Sequence, residues 1–292
     1  MPDFVIAGAQ KSASTFIQDA LSGHPDIFMP NGETRFFEDP EYGDGDTAQL
    51  AMLFEGRGER VLGIKRPDYL GRAEVPARIR EKLPAAKIIV VLRNPIDRLV
   101  SAYYYYIKLG FLPAVDINEA IPKLLSGRSA NARAVELLSY GKYATHLRRY
   151  REVFPVDRIR IIFQEDIKAA PEREVAQLCA FLDVDPDGAR SLPAAANAGV
   201  YSLPRLRFLS RRNRFLYDYD PITGKLLPKR MALKSLIPAA AITLTDRWIL
   251  SRVIGNRKPM LDNHVRSSLI EYYREEIDGT AEITGRDLKA WC

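Results

Sequence analysis

Residues 4–7, Phe-Val-Ile-Ala, form an unbroken apolar run that stops at Gly8. A short run apolar on both faces and closed by glycine predicts a strand buried within a parallel sheet. Similar runs at Val61–Lys65, Lys87–Leu92 and Arg158–Phe163 predict three more strands. Lys87-Ile-Ile-Val-Val-Leu92 carries the strongest signal, because β-branched residues crowd a helix and suit a pleated surface. Between these runs the spacing turns helical, over about 14–23, 48–54, 73–83, 96–108 and 172–182. Gly23-His24-Pro25 closes the first of these helices, and Pro95 suits the opening turn of the helix that follows it. Residues 134–154 read as one long helix with a break near Gly141. Residues 26–38 read as a loop with a short apolar piece, and 109–130 as irregular chain with a short helix. The βαβα alternation predicts an α/β fold of three layers, α/β/α, with a central parallel sheet and right-handed crossovers. Beyond about Asp183 the pattern changes: 194–220 reads as loop-rich, and helices return at 240–253 and 261–276. A single domain over residues 1–292 is expected, with 185–260 as a basic cap region within it.

Charge sharpens this division. The chain carries a net +6, and nine basic residues between Arg205 and Lys234 face only Asp218 and Asp220, which makes that window +7. Anionic partners are therefore favoured there. Cys179 and Cys292 are the only cysteines, which argues against a disulfide framework or a cysteine-rich metal site. His24, His146 and His264 are scattered, so no zinc site is expected. The first residues enter a strand with no signal-peptide pattern, and the longest apolar candidate, Leu236–Leu244, is short and contains Pro238. A cytoplasmic setting is expected, with peripheral contact at the inner membrane face through the basic window.

The candidate chemistry lies after the strands. Gly8-Ala-Gln-Lys11-Ser12-Ala13-Ser14-Thr15-Phe16 leads from the first strand into a helix. Amides at a helix start together with a lysine make a phosphate seat. Lys11 follows Gly8 by three residues with no second glycine, so this is not a Walker loop. Two further polar clusters fall beyond strand ends, where open α/β sheets bind ligands. One is Arg93 with Ser101 eight residues on; the other is Glu33 in Asn31–Phe37 with Lys65 in Lys65–Tyr69. Each has a plain alternative: Ser101 bonding its own helix, Glu33 pairing with Arg35, Lys65 as an ordinary strand-end lysine. His146 reads as structural and is the second candidate for a base.

Together these residues resemble the nucleotide sulfotransferase family, within it the heparan-sulfate-type and related bacterial carbohydrate branch. Gly8–Thr15 is similar to the family's 5′-phosphosulfate loop, with Ala13 where glycine is usual. Val91–Arg98 followed by Ser101 resembles its 3′-phosphate motif. Glu33-Thr-Arg35-Phe-Phe, Lys65-Arg-Pro-Asp-Tyr69, Gly141-Lys-Tyr143 and Gly285-Arg-Asp-Leu…Trp291 resemble further segments of that branch, and Arg257-Lys258 loosely matches its late basic loop. The resemblance implies a P-loop-like sulfotransferase fold and 3′-phosphoadenosine 5′-phosphosulfate (PAPS) as sulfate donor, with 3′-phosphoadenosine 5′-phosphate (PAP) as product and no metal. It implies Lys11, Ser12, Ala13, Ser14, Thr15, Phe16, Arg93, Ser101, Arg257 and Lys258 at the nucleotide. It further implies Glu33, Lys11 and Lys65 in catalysis, and Glu33, Arg35, Lys65 and Tyr143 at the acceptor. That acceptor is a hydroxyl, on a glycan or glycolipid that the basic region would face. A small metabolite, lipid or polyketide acceptor fits the same residues. A metal-dependent small-molecule kinase and a non-catalytic nucleotide or polyanion binder stay as alternatives. No recognition motif points to a specific nucleic acid.

Overall fold

A computed structural model describes residues 1–127, 132–188, 199–219, 226–229 and 233–292. It divides into two compact units: Met1–Arg98, Lys142–Asn197 and Tyr273–Cys292 in the first, Leu99–Gly141 and Ala198–Tyr272 in the second.

The first unit is built on a parallel sheet of five strands: β1 (Phe4–Gly8), β2 (Ile27–Phe28), β3 (Val61–Lys65), β4 (Lys87–Leu92) and β5 (Ile159–Phe163), in the order β2-β3-β1-β4-β5. The three-layer reading holds, since every strand of this sheet is parallel and helices connect them. Within this sheet the unpredicted strand is β2, a two-residue piece of the expected 26–38 loop that pairs with Val61 and Leu62. Phe4, Ile6, Ile89 and Val91 pack with Ile17 and Leu21 of α1 (Ser14–Ser22) and with Leu178 of α9 (Pro171–Phe181). Gly63 is required by this packing, since a Cβ there would stand 2.1 Å from the Phe4 ring. The other helices of the unit are α2 (Ala48–Met52), α3 (Val75–Lys82), the opening of α4 (Pro95–Leu109), α7 (Tyr143–Val153), α8 (Gln164–Ala169) and the end of α14 (Asn263–Thr284). Because β1 lies between β3 and β4, three chain segments leave the sheet side by side: the loop after Gly8, Lys65 and Arg93.

The second unit holds the rest of α4, α5 (Ile117–Leu125), α6 (Ala132–Ser139), α10 (Leu203–Ser210), α11 (Asn213–Leu216), a hairpin of β6 (Tyr217–Tyr219) and β7 (Leu226–Pro228), α12 (Leu233–Thr245), a π-helical segment Asp246–Leu250, α13 (Ser251–Val253) and the opening of α14. The 134–154 helix does break at Gly141, into α6 and α7. Residues 194–198 and 220 of the expected loop-rich stretch lie outside the described residues, and its described part, 199–219, is less irregular than its composition suggests. Leu206 and Leu209 are buried on one face of α10, while Pro204 and interleaved arginines mask that spacing in the sequence. The helix expected from 240 begins at Leu233, and the one expected to end near 276 runs to Thr284. Lys225 and Arg230 of the basic window lie outside the described residues.

Candidate functional site

The loop between β1 and α1 is tightly wound, with Ser12 N donating to the Ala9 carbonyl at 3.3 Å. Lys11 and Ala13 both take left-handed backbone, with φ of 66° and 76°. Alternating winding of this kind turns successive amides to one side. Ala13 caps α1 without any side-chain cap bond, so the first amides of the helix have no partner in α1. Ser12 is fully buried, and its Oγ lies beside the Tyr143 hydroxyl without either reaching good hydrogen-bond geometry. A cradle of uncapped amides with a buried, unsatisfied hydroxyl fits an anionic oxygen-rich ligand such as a phosphate.

Two cations grip this loop from the neighbouring strands. Arg93, just past β4, donates from Nη1 to the Lys11 carbonyl at 3.1 Å. Lys65, the last residue of β3, donates from Nζ to Thr15 Oγ1 at 3.1 Å. Lys65 is only 4% exposed, and burial holds its ammonium below the ordinary lysine range, against the opposing pull of Glu33 and Asp19. Arg98, fully buried in the first turn of α4, adds positive charge next to Tyr143. Burial pushes the Tyr143 hydroxyl up to about 12, so it stays a neutral donor. Phe16 is half-buried at the start of α1.

The Glu33 segment is fastened to the same place. Gln18 of α1 donates to the carbonyls of Pro30 and Gly32 at 2.9 and 3.1 Å. Thr34 N donates to the Lys65 carbonyl at 3.0 Å. Tyr69, wholly buried, donates from its hydroxyl to the Thr34 carbonyl at 2.5 Å and accepts from Phe37 N at 3.1 Å. The Lys65–Tyr69 segment thus clamps Glu33–Phe37 from below. Glu33 itself accepts from Arg66 Nη1 at 2.5 Å. Arg35 is half-buried, with its carbonyl accepting from Glu38 N at 2.9 Å.

Arg66 is the residue the sequence reading passed over. Besides Glu33 it meets Glu38, at 2.6 Å from Nε and 2.9 Å from Nη2, and Asp68, at 2.9 Å. These carboxylates together hold its guanidinium firmly charged despite its burial. Its place in Lys65-Arg66-Pro67-Asp68 was the only hint of this role. The Gly285–Trp291 segment also proves structural: Arg286 forks onto Asp166 and lies 4.2 Å over the Phe163 ring. Trp291 packs on Tyr143 and Phe163, and Asn94, next to Arg93, donates to the Trp291 carbonyl at 3.2 Å.

The structure therefore gathers Lys11, Ser12, Ala13, Ser14, Thr15, Glu33, Lys65, Arg93 and Tyr143 in the first unit. Ser101, half-buried on α4, and Arg257 and Lys258, exposed in the stretch before α14, belong to the second. His146 is buried on α7 beside Arg149. Among the described residues no group of histidine, cysteine and carboxylate side chains is placed to hold a metal.

Known proteins carry related sequences and folds. The chain is 29% identical over 208 residues to the human bifunctional heparan sulfate N-deacetylase/N-sulfotransferase 2, a match covering 64% of this chain and 22% of that protein. It is 28% identical over 181 residues to human heparan sulfate glucosamine 3-O-sulfotransferase 6, covering 62% of this chain and 52% of that one. The chain thus spans about a fifth and about half of these relatives. Its fold matches a crystal structure of a sulfotransferase from Alicyclobacillus acidocaldarius with a TM-score of 0.69 at 22% identity, over 100% of this chain and 98% of the other. The mouse sulfotransferase SULT7A1, solved with PAP, matches at a TM-score of 0.51 and 16% identity, over 98% and 89%. The sulfotransferase domain profile matches residues 1–193, the stretch that contains the loop, Glu33, Lys65 and Arg93, and on that match the chain belongs to the sulfotransferase domain family.

Proposed function

We propose that the chain transfers a sulfuryl group from PAPS to a hydroxyl of a glycan or glycolipid. The observation that carries this reading is the uncapped loop before α1, bonded by Arg93 on one side and Lys65 on the other. The heparan sulfate relatives supply the glycan class. When bound, the donor supplies an electrophilic sulfuryl group attached to a phosphate leaving group. The amides of residues 12–15, with the Ser14 and Thr15 hydroxyls, would hold the 5′-phosphate, and Arg93 would hold the 3′-phosphate. Lys11 and Lys65 would offset charge growing on the leaving oxygen, a contribution that accelerates transfer only if it strengthens toward the transition state. Glu33, its direction fixed by Arg66, would accept the acceptor's proton as the new oxygen–sulfur bond forms. Arg35 and Tyr143 would face the acceptor.

The test supplies sulfate-labelled PAPS with desulfated heparan-type oligosaccharides, glycolipids, phenols and lipid alcohols. Label on a sugar hydroxyl, lost in Glu33→Gln while PAP binding persists, supports the reading. Label on a sugar amine moves the chemistry to N-sulfation, and label only on phenols or lipid alcohols overturns the glycan assignment.

A further inference from the structure

The second unit carries a helical face that the described residues leave uncovered. α12, the π-helical segment and α13 run consecutively over Leu233–Val253. Ile237, Ala241, Leu244 and Trp248 follow one another at intervals of four, three and four, which is one face of a helix. All four are exposed, with Ile237 at 68%, Leu244 at 52% and Trp248 at 55%. Ile249 and Val253 extend the apolar surface into the next turn.

The charges on this stretch have one sign. Lys234, Arg247 and Arg252 are exposed, and the two guanidinium groups stand 5.9 and 5.5 Å from the Trp248 ring. The only acid, Asp246, is buried and forked by Arg205 at 2.8 and 2.9 Å. The outer face is therefore apolar and cationic, with its one carboxylate neutralised inside the unit. An indole flanked by arginines beside an aliphatic stripe suits the boundary between lipid headgroups and acyl chains: the apolar side chains enter it, and the cations stay at the phosphates. A second copy meeting this face in a two-fold contact would set like charges against each other. No helix among the described residues is long and apolar enough to cross a membrane.

We propose that Leu233–Val253 docks flat on an anionic phospholipid surface. The chain has two tryptophans, and Trp291 is 4% exposed, so a change in emission on docking reports Trp248. Flotation of the full chain with mixed phosphatidylcholine–phosphatidylserine vesicles at low salt should recover it in the lipid fraction, with blue-shifted emission. Arg247→Gln with Arg252→Gln should lower partitioning about thirtyfold, at about fivefold per cation removed near the surface. Trp248→Ser should abolish the blue shift, and circular dichroism should show both exposed-site variants folded. Recovery with pure phosphatidylcholine to the same extent, no recovery at all, or partitioning untouched by these substitutions overturns the proposal. A blue shift that grows with protein concentration in the absence of vesicles assigns the face to a second copy and overturns it as well.

Discussion

Replacing Arg66 with methionine removes the cation shared by Glu33, Glu38 and Asp68 while keeping much of the side-chain volume. The cost follows from burial. Glu38 is fully buried, the Asp68 side chain is 10% exposed, and that of Arg66 itself 10%. Breaking a buried pair strands the partner's charge, which costs about 3–5 kcal/mol. The Glu33 arm adds little, because that side chain is 39% exposed and such pairs contribute about 0–1 kcal/mol. Arg72 lies 3.6 Å from Glu38 and offsets part of the loss. A destabilisation of about 3 kcal/mol is therefore expected in urea unfolding followed by circular dichroism. Adding Glu38→Gln to Arg66→Met should restore part of it, because the most deeply stranded charge is gone while Asp68 remains, whereas Glu38→Gln alone should be destabilising. A loss below about 1 kcal/mol, or strict additivity in the double variant, would show that Arg66 does not organise this carboxylate cluster.

Three further outcomes are expected. Lys65 is held below its ordinary value of 10.5 by burial, so between the two values the unfolded chain binds more protons and stability rises with pH there. Lys65→Met should erase that rise and leave stability near neutral pH equal to or above the parent, while sulfuryl transfer is lost; a clear drop in urea midpoint at pH 7 would contradict the sign. Ala13→Gly should stabilise by about 0.5–1 kcal/mol, since left-handed backbone costs alanine about 1–2 kcal/mol and glycine's freedom when unfolded returns part of that gain; unfolding that is easier than in the parent would refute the strain. Gln18→Leu removes the two bonds to Pro30 and Gly32, so turnover should fall about tenfold to a hundredfold with donor KM unchanged, and a donor KM shift without loss of kcat would place Gln18 at the nucleotide instead.

The parts of the fold that were legible in the sequence are those where one residue type answers one physical demand. β4 could be read because consecutive β-branched residues exclude a helix and suit a doubly covered strand. The loop could be read because Gly8 ends an apolar run just before a cluster of hydroxyls and a lysine. What could not be read depends on convergence in space. Nothing in the chain order shows that Arg66 meets Glu33, Glu38 and Asp68, or that Tyr69 ties down Thr34 and Phe37. Ala13 conceals its left-handed backbone, because the sequence signal for that conformation is glycine. α10 was hidden for a different reason: its buried face is narrow, and Arg205 and Arg207 flank Leu206 on both sides. The Gly285–Trp291 segment was legible as a motif but not as a buttress, since its partners Asp166, Phe163 and Asn94 lie far away in sequence.

In the proposed function the loop before α1 is the seat of one end of a bisphosphorylated adenine nucleotide. Calorimetric titration of PAP into the protein, and into Lys11→Ala and Arg93→Ala variants, tests this most directly. Saturable one-to-one binding by the parent is predicted, with Arg93→Ala weakening PAP far more than adenosine 5′-phosphate, and Lys11→Ala retaining PAP while losing transfer. No heat of PAP binding by the folded parent, or equal losses for both nucleotides in Arg93→Ala, would contradict it.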